Sequence, residues 1–153
     1  MARRFLFLLS CVALAGCGGD DRLSGDDYRQ KAAPPVRDAA DAIVKLGIAI
    51  SRAPAPELAA SRIELLRRRL GDASAALAEL SAPKEIDDAH GALVEALADL
   101  SEEVAKYEDE VDVELEDYEQ LTTFGQELSA TAPAKEITEA LRELDEAGFP
   151  LLR

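Results

Sequence analysis

The chain has 153 residues, with 31 acidic side chains against 17 basic ones, a formal net charge of −14 and a pI near 4.4. Such a polyanion is repelled by nucleic acid and by anionic lipid headgroups, which excludes both as surfaces held by charge. With no tryptophan, no asparagine and one histidine, a chain long enough for a single domain must build its core from Leu, Ile, Val and Ala.

The N-terminus reads MARRFLFLLSCVALAGC. Arg3 and Arg4 form a short positive segment. Phe5 to Ala15 is an apolar run of about eleven residues, against the roughly 20 that cross a bilayer as a helix. These are the marks of an export signal. No other stretch is long and apolar enough to span, so a polytopic membrane protein is excluded. Leu14-Ala15-Gly16-Cys17, followed by the polar tether Gly18-Gly19-Asp20-Asp21, resembles the lipobox of bacterial lipoproteins. The resemblance implies a diacylglycerol thioether on Cys17, cleavage between Gly16 and Cys17, and often acylation of the new amino terminus, as with palmitate. A thiol is needed because its sulfur is the nucleophile that takes the lipid.

On this reading residues 1–16 are the signal peptide, 17–23 the lipidated cysteine and tether, and 24–153 the folded domain. The protein is then exported and held through Cys17 to the outer face of the cytoplasmic membrane, or to the inner face of an outer membrane. Ala13-Leu14-Ala15 also satisfies the rule for an ordinary secretory signal cut after Ala15. Agreement at four consecutive positions, at the right distance from the apolar run, favours the lipobox. Removal of Arg3 and Arg4 makes the mature chain more acidic still. Cys11 leaves with the signal, so no thiol remains for a disulfide.

After the tether, segments rich in Ala, Leu, Glu and Arg dominate and no alternating strand pattern appears, which predicts an all-α fold. Ser24-Gly25-Asp26-Asp27 offers a hydroxyl cap ahead of two acids, so a first helix starts at Ser24. Pro34-Pro35 predicts a kink or short break there, with the packed part at 36–51. Pro54 and Pro56 mark a loop before a second helix at 57–80. Its Ala59, Ile63, Leu66, Leu70, Ala73, Leu77 and Leu80 are spaced alternately four and three apart, a coiled-coil-like seam.

Pro83 opens the third helix, where its missing N–H costs nothing. Ile86, His90, Leu93, Leu97, Leu100, Val104, Tyr107 and Val111 continue the 4-3 spacing. Leu115, Tyr118, Leu121, Phe124 and Leu128 follow after one extra four-residue step. The helix then either runs from 83 to about 129, near 70 Å long, or breaks around 109–113 where the seam slips. Thr131-Ala132-Pro133 opens the last helix, which stops at Gly148, and Phe149 to Leu152 form an apolar tail that packs back. The sum is an elongated antiparallel bundle of about four helices with a long third helix.

The acidic stretch from Ser101 to Gln120 holds ten acids against Lys106 alone. Glu108, Asp109, Glu110, Asp112, Glu114, Glu116 and Asp117 form a candidate face for a basic partner or a cation. They lack the ligand order and the turn glycine of an EF-hand loop, so a solvated helix face is the simpler expectation and no metal is assigned. Antiparallel pairing about Pro83 would set Arg62 opposite Glu103, a contact worth about 0–1 kcal/mol. His90 sits on the seam and reads as a partly buried core histidine. It has no second His or free Cys to complete a zinc site. There is no Gly-x-Ser-x-Gly elbow and no phosphate-cradling glycine loop, and the carboxylates are solvated. Neither an enzyme nor a cofactor is expected.

The order of lipobox, tether, Leu23-Ser24-x-x-x-Tyr28 helix start, proline-initiated middle helices and closing Ala147-Gly148-Phe149 resembles small helical lipoproteins of high-GC actinobacteria. The resemblance implies a location and a fold but no activity. Many of that group carry a cysteine in the first helix and another near the C-terminus, and both are absent here. The expected role is a non-enzymatic binding or scaffolding module for an envelope protein partner. The alternative is an extracytoplasmic carrier of a cation or small ligand, using the acidic face or an inter-helix cavity.

Overall fold

The computed structural model describes residues 22–113 and 118–153, with the side chains of 109–120 excepted. Gly16, Cys17 and the signal lie outside the described residues, as do Glu114, Glu116 and Asp117. The chain forms α1 (Gly25–Ser51), α2 (Pro56–Ala78), a 3-10 turn (Lys84–Ile86), α3 (Asp87–Val113), α4 (Tyr118–Ala130) and α5 (Ala132–Glu146), with no strand among the described residues. The fold is all-α, as the composition predicts. α2 packs against α1 and α3, while α5 packs on α3 and α4 on α1. The last two helices together fill the fourth position of the bundle.

Ser24 begins α1 as expected: its backbone is extended and its hydroxyl accepts from the Asp27 N–H at 3.2 Å. Pro34 and Pro35 do not break the helix, which is continuous from Gly25 to Ser51. Packing begins not at residue 36 but at Tyr28, and Ala32, Ala33 and Val36 are buried on either side of the prolines. Pro34 is exposed and Pro35 half-exposed, so the carbonyls they orphan, on exposed Gln30 and Lys31, can be hydrated. The buried alanines and Val36 hold both halves in line.

α2 starts with Pro56 in its first turn and buries its seam from Ala59 to Leu77. Opposite it lie Leu93, Leu97, Leu100 and Val104 of α3, all buried. The turn between them differs from expectation. Pro83 precedes a 3-10 turn rather than opening the α-helix, and α3 begins only at Asp87. The hairpin still pivots at residue 84, midway between Ser74 and Val94 and between Arg67 and Ser101, but Arg62 is turned towards α1. Arg62 therefore does not face Glu103; its guanidinium donates to the Ala49 carbonyl of α1, and Glu103 pairs with Lys106 on its own helix. The bridge that forms is Arg67 to Glu108, at 2.9 Å.

The third helix does not run straight to residue 129. The rings of Tyr107 and Phe124 are 5.0 Å apart, whereas a straight helix would separate those residues by about 25 Å. The chain thus doubles back after α3, which stays helical through the slip expected at 109–113 and ends at Val113. Leu121, Phe124 and Leu128 of α4 are buried as their spacing predicts.

Thr131 separates α4 from α5 and caps the latter, its hydroxyl accepting from the Ala134 N–H at 3.4 Å. Gly148, at φ 90°, ends the run in a left-handed turn. There the Phe149 N–H donates to the Leu144 carbonyl at 2.8 Å and the Gly148 N–H to that of Asp145 at 3.0 Å. This turn aims Phe149 and Leu151 into the core, while Leu152 stays exposed.

Because α1 continues through its prolines, Pro34→Ala should restore a helical hydrogen bond and stabilise the fold by about 1–3 kcal/mol. Urea unfolding followed by circular dichroism checks this. An unchanged or lower midpoint would mean that the proline shapes the packing of α1.

Candidate functional site

Of the acidic face, Glu108 is the residue whose side chain is placed, and it is engaged with Arg67 of α2. Asp109, Glu110 and Asp112 lie on the last turns of α3, with Glu114, Glu116 and Asp117 beyond the described residues. Among the described residues no three His, Cys, Asp or Glu side chains come together as a group that would hold a metal.

His90 has a more specific place. It is buried near the start of α3, and its Nδ1 lies 3.0 Å from the hydroxyl of Tyr28 on α1. The Leu77 backbone, at the end of α2, lies near the same ring. The edge-to-face rings of Tyr28 and Phe149 join the C-terminal tail to the same cluster, with centroids 5.9 Å apart. Outside it, Arg22 pairs with Asp87 at 2.8 Å and holds that carboxyl below the usual range. Burial pushes the Tyr28 phenol up to about 12 and holds the His90 imidazole below its ordinary value. An imidazole held against a phenol in the interior ties α3 to α1.

A groove of ≈ 600 Å³ opens to solvent between α1 and α4. Ile43, Val44, Gly47 and Ile48 line one side, and Thr122, Gly125, Gln126 and Ser129 the other. Val44 and Ile48 are 61% and 51% exposed, and of the other big apolar side chains described only Leu152 and Leu58 are comparably open. A Cβ added to Gly47 would meet nothing within 4 Å, and one added to Gly125 would meet only the Ser51 hydroxyl at 4.0 Å. The groove is therefore floored by glycines that no neighbour requires.

Neither the Tyr28–His90 pair nor the groove was singled out by the sequence reading. The pair joins residues 62 apart, and nothing local announces it. The groove did leave a trace: Val44 and Ile48 are one helical turn apart and off the stripe formed by Val36, Ile43 and Ile50.

No protein-family model, curated protein or solved structure matches this chain.

The Tyr28–His90 tie fixes the sign of a pH dependence. Above about pH 6.5 both the folded and unfolded histidine are neutral, and the tie contributes in full. As pH falls below 6.5 the unfolded chain takes up a proton that the fold resists, and stability is lost towards the lower folded value. For Tyr28 the loss comes at the other end, as pH rises past 10 towards about 12. The stability difference between the native chain and His90→Gln should therefore shrink on acidification from pH 7 to 5. Urea midpoints at each pH measure it, and a constant difference would show that His90 does not titrate differently in the two states.

Proposed function

We propose that this protein is a lipoprotein held to the extracytoplasmic side of a membrane through Cys17, and that its bundle is a non-enzymatic binding module. The observation that carries the binding role is the open groove between α1 and α4, with Val44 and Ile48 standing exposed beside a glycine floor. Exposed apolar side chains are costly to leave in water unless something covers them. The occupant this reading commits to is a helix of another envelope protein, with an apolar face for Val44 and Ile48. The anchor is supported by the lipobox and by the lack, among the described residues, of any helix long and apolar enough to cross a membrane. The non-enzymatic character is supported by the one histidine being engaged with Tyr28 inside the core.

A photo-crosslinking side chain at Ile48, in full-length protein in its native membrane, should capture one discrete protein with an amphipathic helix. The same probe at exposed Glu136 should not. Gly47→Leu should abolish capture by filling the groove, while Gly47→Ala leaves the fold intact and raises its stability by about 0.5–1 kcal/mol. Equal capture at Ile48 and Glu136, or capture unaffected by Gly47→Leu, would remove the groove as the binding surface. A melt raised by millimolar cation instead would point to the carrier reading.

A further inference from the structure

The tether and its landing point determine how the bundle meets the membrane. Between Cys17 and Arg22 stand only Gly18, Gly19, Asp20 and Asp21, so that stretch of chain reaches about 18 Å at full extension. Arg22 is bound into the fold, with its guanidinium donating to the Ala82 carbonyl at 2.9 Å and pairing with Asp87 at 2.8 Å. The Leu23 N–H donates to the Ser81 carbonyl at 2.9 Å. The anchor thus grips one end of the bundle, where α1 begins, α2 hands over to α3, and Phe149 docks on Tyr28. The 27 residues of α1 make the bundle about 40 Å long, more than twice the tether. α3 runs away from the gripped end and carries the acidic stretch to the opposite one.

Resting on the anchor reading of Cys17, we propose that the bundle stands end-on on the bilayer. The end formed by Arg22, Leu23 and the 81–86 turn faces the headgroups, and the acidic end is held away from them. The tether keeps the lower end close to the surface. Repulsion between anionic lipid and the acids on the last turns of α3, Glu108, Asp109, Glu110 and Asp112, keeps the far end from tipping down. This repulsion acts over a screening length of about 8 Å at physiological salt and about 30 Å at 0.01 M. Groove residues 43–52 then lie roughly 27–40 Å beyond the start of α1. The partner that fits them is an extracytoplasmic domain reaching that height, and not a segment buried in the membrane.

Full-length protein, expressed with its own signal and purified from membranes, can be reconstituted into vesicles of phosphatidylcholine with phosphatidylglycerol. A fluorophore on Lys84→Cys reports the lower end, and one on Glu57→Cys the upper end. A quencher on the lipid headgroups should dim the first label strongly and the second several-fold less. Equal quenching at both sites would mean that the bundle lies flat and would overturn the proposal. Insertion of about twenty Gly and Ser residues between Asp21 and Arg22 should weaken quenching at Lys84→Cys while the protein still floats with the vesicles. Unchanged quenching would show that the tether does not set the posture. If Cys17→Ala floats as well as the native chain, the anchor reading itself fails, an outcome distinct from a flat-lying but lipidated protein.

Discussion

The seam between α2 and α3 holds the rest of the molecule in place. Ile63, Leu66, Leu70 and Leu77 face a matching row of Leu93, Leu97, Leu100 and Val104, all at or near zero exposure. Burying each such side chain is worth about 1.5–3 kcal/mol, and no disulfide or metal among the described residues adds to it. α1 lies on α2, α5 lies on α3, and α4 reaches the bundle by leaning on α1. Alanines at 59, 73, 89 and 96 are buried between the larger side chains, where their small size lets neighbouring backbones approach closely.

A seam of leucine and alanine repeats itself every turn or two, and apolar contact alone would tolerate a slip. Polar ties set the register here. The Ser74 hydroxyl donates to the Val94 carbonyl at 2.8 Å, and that of Ser101 to the Arg67 carbonyl at 3.0 Å, both across the α2–α3 contact. Tyr28 and His90 do the same between α1 and α3 at the lower end. None of the buried side-chain polar atoms described is left without a partner. A slipped seam would strand these groups, at a cost of about 1–3 kcal/mol each. This asymmetry selects one arrangement among several that the apolar pattern would allow.

These ties also explain how much could be read from the sequence. Helices whose apolar residues follow an uninterrupted 4-3 pattern were legible, because burial of a stripe depends only on spacing. The caps at Ser24 and Gly148 were legible because each depends on a single residue's chemistry. Relations between distant elements were not. The Arg62–Glu103 expectation failed because Arg62 is turned to the Ala49 carbonyl of α1, and local spacing does not say which neighbouring helix a flanking side chain meets. The Pro34–Pro35 break failed because proline's cost depends on which face it occupies. The reversal after α3 was present as a phase slip, but a slip is equally consistent with an unwound continuous helix. The Tyr107–Phe124 contact decides between the two.

The groove shows where sequence and stability part company. Glycine in a helix interior costs about 0.5–1 kcal/mol relative to alanine, and it is usually retained where a neighbouring backbone passes close. At Gly47 and Gly125 no such neighbour exists, since a side chain at either would find open space or a contact at the van der Waals limit. Both glycines nevertheless face the same groove, from different helices, beside the exposed Val44 and Ile48. Alanine at both positions would strengthen α1 and α4 and shallow the groove at once. At these two facing positions, with Val44 and Ile48 left in water between them, the depth of the groove and the strength of α1 and α4 trade against each other.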